Sequence, residues 1–208
     1  MNEFDYTPEQ MEQIQTFINE TYGNGKEGLI GHEIKSEYVH ADVMVLDSGE
    51  GDYNFATFGM GARKTNAPMP QLQRTELVMC ATGNMALDSR EAAIVIGELQ
   101  RLSKLPFKND TFFGPYHTID ASKLFTETFG FEAFLFADAH VVQVDDLGDV
   151  LFLWVVPIYQ EEREEMIRWN SLDVLEELVL TFGKTIHFVD SGRDNLYFQH
   201  NHRTKLGT

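Results

Sequence analysis

Residues 150–159, VLFLWVVPIY, leave this chain less freedom than any other stretch. The run is about half the length that a bilayer-spanning helix needs, roughly 20 apolar residues. It is rich in branched and aromatic side chains, and it does not alternate apolar with polar. A strand with one wet face would alternate, so this one belongs inside a sheet. FEAFLFAD (131–138) is a second apolar strand close before it.

The other segments alternate irregularly between strand and helix patterns. Thr7 caps a first helix (7–22), with Pro8 at its first position, Gln10 completing a T-x-x-Q box and Gly23 as its left-handed stop. YVHADVMVLDS (38–48) and YNFATFGM (53–60) are short-period strands joined by the turn GEGD, and so predict a hairpin. RTELVMCA (74–81) is a third strand. Asp88, with Glu91 three positions on, opens a helix that runs to Leu105 and stops at Pro106. Its apolar stripe is Ala92, Val95, Ile96, Leu99 and Leu102. EEREEMIRW and SLDVLEELVLTF follow as helices, the second capped by Ser171, and TIHFV (185–189) is a last short strand. The class implied is α+β, a mixed β-sheet flanked by helices, without repeats or a linker.

Charge narrows the partners. The net charge is −17, and residues 1–62 hold 12 acidic against 2 basic side chains. Such a surface repels phosphates and anionic lipid, so neither nucleic acid nor membrane is expected as a partner, whereas a basic protein is. The opening MNEFDYTPEQ is acidic and has no apolar h-region, so no secretory signal is expected and the cytoplasm is the expected location. A single Cys80 excludes an internal disulfide and any multi-Cys zinc site.

The motifs that suggest chemistry fail on spacing. FGMGARKT (58–65) has Gly-x-Gly and Lys-Thr, but a P-loop needs Gly immediately before Lys, and here that position is Arg63. His32-Glu33 begins a zincin motif, yet position 36 is Ser, so the second imidazole is missing. Cys80 sits in an apolar strand and reads as a buried small hydrophobe. Glu161, Glu162, Glu164 and Glu165 read as a solvated helix start, where carboxylates favour the dipole. No cofactor or metal is expected, and no catalytic residue is assigned.

Taken in order, YNFATFGM, RTELVMC, LSKLPFKNDTFFGPYHTI, FEAFLFAD, VLFLWVVPIYQEEREEMIRW and HFVDSGRDN resemble the suppressor of fused (SUFU-like) domain. The resemblance covers residues 38–195, leaving 1–37 as an N-terminal helix and lead-in and 196–208 as a tail. LPFKNDTFFGPYHTI and VVPIYQEEREEMIRW carry most of it, because strand or helix patterning explains neither. It implies a non-enzymatic protein-binding module. Eukaryotic members clamp an extended peptide of zinc-finger transcription factors against strand edges, between this domain and a second one with no counterpart in the match. The short form is similar to bacterial SUFU-like proteins, and this likeness implies an immunity protein that neutralises a polymorphic toxin by binding it.

Within that resemblance the loop 105–120 is the expected contact region. Asn109-Asp110 supply turn chemistry and Gly114-Pro115 forces a turned or extended backbone. Phe112 and Phe113 cannot both face inward along a strand. Asn109, Asp110, Thr111, Phe113, Tyr116 and His117 are the expected partner-binding residues. The partner implied is a protein or extended peptide, basic in character, such as a toxin domain. Two alternatives stand beside this: a regulatory binder of a basic peptide, and a hydrolase or metalloenzyme joining His117 to carboxylates at 161–165 or to Asp110.

Overall fold

The computed structural model describes residues 5–25, 28–32 and 37–198. Helix α1 (Pro8–Tyr22) precedes strands β1 (Leu29–Gly31), β2 (Asp42–Asp47), β3 (Tyr53–Phe58) and β4 (Thr75–Ala81). Helix α2 (Arg90–Lys108), strand β5 (Thr118–Asp120) and helix α3 (Lys123–Phe129) lead to β6 (Ala133–Val144) and β7 (Gly148–Ile158). Helices α4 (Gln160–Arg168) and α5 (Ser171–Phe182) come next, then a 3-10 turn, Gly183–His187. The strands make one sheet in the order β1-β2-β3-β4-β7-β6-β5. Neighbours are antiparallel except β4 and β7, which are parallel, so the sheet is mixed and the class α+β. No helix among the described residues is long and apolar enough to cross a membrane.

The run 150–159 is interior as its composition requires: β7 lies between β4 and β6. Alternate side chains enter different cores. Leu151, Leu153 and Val155 join Phe134, Phe136 and the α2 stripe on one face. On the other face Val150 and Phe152 meet Ile14 and Ile18 of α1, while Val156 and Ile158 meet Val174 and Leu178 of α5. Pro157 is tolerated in this strand because β4 pairs only with Leu151–Trp154, so the missing N–H falls beyond that ladder.

Several local expectations need correction. The T-x-x-Q box forms at Thr7, but Gly23 is not left-handed (φ −118°); Asn24 and Gly25 take that conformation instead. Ser89 caps α2 in place of Asp88, and Asn170 caps α5 in place of Ser171. Ser89 Oγ accepts the Ala92 N–H at 3.1 Å and Asn170 Oδ1 accepts the Leu172 N–H at 3.1 Å, so each cap stands one residue from the expected one. Pro106 does not stop α2, which runs on to Lys108. The ring costs one bond near the helix end, and Asn109 N–H to Leu105 and Thr111 N–H to Pro106 complete the turn. TIHFV is a 3-10 turn with a single parallel bridge, Cys80 to Phe188, rather than a strand. Strand β6 extends six residues past Asp138, with a bulge between Asp138 and His140. Glu33 and Ser36 of the incomplete zincin pattern lie outside the described residues.

Candidate functional site

Residues 109–120 run from the end of α2 to the sheet edge. Asn109 caps the helix and Asp110 is left-handed (φ 51°), with its carboxylate accepting from Asn66 at 3.3 Å. Phe113 is 4% exposed and stacks on Phe136, centroids 4.4 Å apart. It is core, so it leaves the surface set; half-buried Phe112 lies against the His117 ring at 5.2 Å. Gly114 O accepts the His117 N–H at 3.2 Å, closing a turn with Pro115 and Tyr116 at its centre. Tyr116 has φ 66° and is 39% exposed, and its N–H donates to Phe136 O at 2.7 Å. Asn109, Asp110, Thr111, Tyr116 and His117 are all exposed.

Two arginines hold the strand that follows. Arg101 is locked onto buried Glu98 and donates to Asp120 O at 3.0 Å. Arg163 of α4 bonds the Thr118 hydroxyl and pairs with the Asp120 carboxylate. Edge strand β5, which follows the loop, is thus tied to both α2 and α4.

Among the described residues no hydrogen bond or ion pair joins His117 to the 161–165 carboxylates. A cavity of about 400 Å³ holds Glu132, Tyr159, Glu161 and Arg193 among its walls, and His117 is not one of them. Asp110 turns to Asn66 instead. Among the described residues no three His, Cys, Asp or Glu lie close enough to hold a metal ion. Cys80 is buried, and burial pushes its thiol up to about 12, far from thiolate reactivity.

The Gly-x-Gly of 59–61 cradles an acid, and that acid belongs to the chain itself. Buried Glu76 of β4 accepts from the backbone N–H groups of Gly59 (3.0 Å) and Gly61 (2.9 Å) and from the hydroxyls of Tyr6 (2.8 Å) and Thr57 (2.6 Å). Gly59 has φ 122°, and a Cβ there would run into the His40 carbonyl oxygen. The one carboxylate in the apolar run RTELVMC was the legible signal, and it marks an internal latch.

Burial raises the Glu76 carboxyl above its ordinary value, against the hydrogen bonds that lower it. A folded value above the unfolded one means that this group's contribution is complete at acid pH and fades as pH rises through the folded value. Glu76→Gln should cost about 1 kcal/mol by mismatching one donor. Its deficit should be larger near pH 4 and smaller near pH 8, read as the difference in Tm between the two proteins across about that range. A deficit that grows with pH would show that the hydrogen bonds outweigh the burial.

Glu162 is not part of a solvated helix start. It is fully buried and forms a two-point bridge with Arg193, Nη1 to Oε1 at 2.5 Å and Nη2 to Oε2 at 2.7 Å. It also accepts the N–H of Tyr159 and of Leu196. The arginine, 7% exposed, donates to Pro157 O at 3.0 Å and is surrounded by the rings of Phe131, Tyr159 and Phe182. No local pattern reveals this pair, because the partners are distant in sequence and the carboxylate is hidden among three similar ones.

Comparison with solved structures places the same architecture elsewhere. A structure of the Sufu–Fu complex matches with TM-score 0.70 at 15% identity, covering 97% of each chain. Drosophila Suppressor of Fused matches with TM-score 0.66 at 15% identity, over 97% of this chain and 56% of the Drosophila one. A putative SUFU homologue from Neisseria gonorrhoeae matches with TM-score 0.63 at 16% identity, over 91% of this chain and 96% of that one. A comparison with curated proteins gives no match. The suppressor of fused protein (SUFU) profile matches residues 37–194, most of the chain, and the chain belongs to that family.

Proposed function

We propose that this chain is a non-enzymatic binding module that holds a basic protein segment along the loop 109–117 and the adjoining edge of β5. The observation that carries the reading is Tyr116. A left-handed backbone costs a bulky residue about 1–3 kcal/mol, and such strain gathers at functional sites. Folding alone would place Gly at the second central position of this turn. The chain keeps an exposed aromatic ring there, fixed by the bond to Phe136. Asp110, Thr111 and His117 are exposed in the same loop, and the net charge of −17 favours a basic partner. The Sufu–Fu complex shows a related protein held in a complex. Among basic protein partners we favour a toxin domain neutralised by binding, which makes the chain an immunity protein of the cytoplasm.

Tyr116→Gly separates binding from folding. It should leave Tm no lower than that of the parent, because it relieves the left-handed strain. It should speed dissociation of a co-purified partner about tenfold, since exposed aromatic anchors carry more than about 1 kcal/mol. Association should slow as salt rises, since charges are screened beyond about 8 Å at physiological ionic strength. An unchanged off-rate together with a salt-independent on-rate would refute the reading. A large fall in Tm would make Tyr116 a packing residue instead.

A further inference from the structure

Helix α5 has more apolar surface than the fold uses. Val174 and Leu178 are buried against the sheet, and Leu175 and Phe182 pack beside them. Yet Leu172 (37%), Val179 (45%) and Leu180 (87%) are exposed on the opposite side. Positions 172, 176, 179 and 180 follow i, i+4, i+7 and i+8, so they make one outward stripe broken only by Glu176. Trp169, three residues before Leu172 at the α4–α5 corner, is 75% exposed. Its indole N–H donates to Glu165 of α4 at 2.9 Å, which leaves the ring in the connecting corner. Single exposed leucines are ordinary, but an aligned apolar stripe with an exposed tryptophan in the adjoining corner is the mark of an interaction surface.

The charges around the stripe say what kind of surface would cover it. Within α5 the charged residues are Asp173, Glu176 and Glu177, all exposed, and the helix holds no cation. The cations at its two ends are engaged inside the chain, Arg168 by Glu165 and Lys184 by Glu50 and Asp52. A second copy would bring the same carboxylates against each other, with −17 on either side. A basic rim around an apolar centre complements the face.

We propose that the outward face of α5, with Trp169, is a docking surface for an amphipathic segment of another protein whose apolar side chains are ringed by Lys or Arg. This contact is separate from the loop 109–117, and it goes beyond the function proposed above.

The test uses the full chain and three synthetic peptides of about 18 residues, roughly five helical turns. One is an amphipathic Leu/Lys helix, one its Leu/Glu counterpart, and one a Lys/Ser peptide of the same positive charge. The Leu/Lys peptide should bind at a single saturable site, shift tryptophan emission to the blue, and lose that shift in Trp169→Phe. Leu172→Ser with Leu180→Ser keeps the charge and, being at exposed positions, the fold; it should weaken binding at least about tenfold, or 1.4 kcal/mol. Tyr116→Gly should bind the peptide as the parent does, which keeps this outcome distinct from that of the loop. Equal binding of the Lys/Ser or Leu/Glu peptide, or full binding by the double variant, overturns the proposal. So does self-association of the chain that the double variant abolishes, because the occupant would then be a second copy.

Discussion

Glu162→Leu should lower the melting temperature by about 6–20 °C, because it leaves the Arg193 guanidinium buried without its counter-charge. Breaking a buried ion pair from one side costs about 3–5 kcal/mol, and each kcal/mol moves Tm by about 2–4 °C in a chain of this size. The loss extends beyond the pair, since Glu162 also receives the N–H groups of Tyr159 and Leu196. Arg193→Met should be comparably damaging by stranding the carboxylate. The double variant Glu162→Leu with Arg193→Met should recover much of the loss, as apolar replacement of a whole buried pair often does. Thermal denaturation of the four proteins decides it. Single variants that melt with the parent would mean that water reaches the bridge, while a double variant as unstable as the sum of the singles would deny the coupling.

Leu99→Asp should be at least as damaging. Leu99 is fully buried at the centre of the α2 stripe, where it joins the cluster containing Val95, Leu102 and Phe136. A carboxylate there has no partner, and burying an unpaired charge costs several kcal/mol on top of the lost leucine. We expect no cooperative thermal transition near that of the parent. The control is Ala93→Asp, one helix position exposed to solvent, which should melt almost with the parent. Equal melting of Leu99→Asp and the parent would put the wrong face of α2 against the sheet.

The stripe of α2 was legible because helix periodicity and burial speak the same language, and the same holds for VLFLWVVPIY in the sheet interior. What sequence reading missed falls into two kinds. Short edge elements such as β1 and β5 span three residues each, too few for any period to show, and they exist because β2 and β6 offer them an unpaired edge. Tertiary polar contacts were missed because their partners lie far apart: Glu162 with Arg193, and Glu76 with Tyr6 and the 59–61 turn. At the candidate site the turn residues were readable from Asn-Asp and Gly-Pro. Which of Phe112 and Phe113 would be buried was not, since either register satisfies the alternation and only the Phe136 ring decides between them.

The parallel seam of β4 and β7 governs how quickly this sheet can be made. Strands β1 to β4 lie on one side of the seam and β5 to β7 on the other, each group built from neighbours in the chain. Thr75 meets Leu151 across the seam, so the two halves join only after a long loop has closed. Closing it draws on chain entropy before the paired strands return anything, which places this domain among the slower folders, on the millisecond-to-second scale rather than microseconds. On a ribosome, β1 to β4 emerge with the β4 edge bare and wait for β7, at about 5–20 residues per second, for several seconds. The nascent chain therefore spends that interval with an exposed apolar strand, TELVMCA, and it is during synthesis, more than after it, that this protein is open to mispairing.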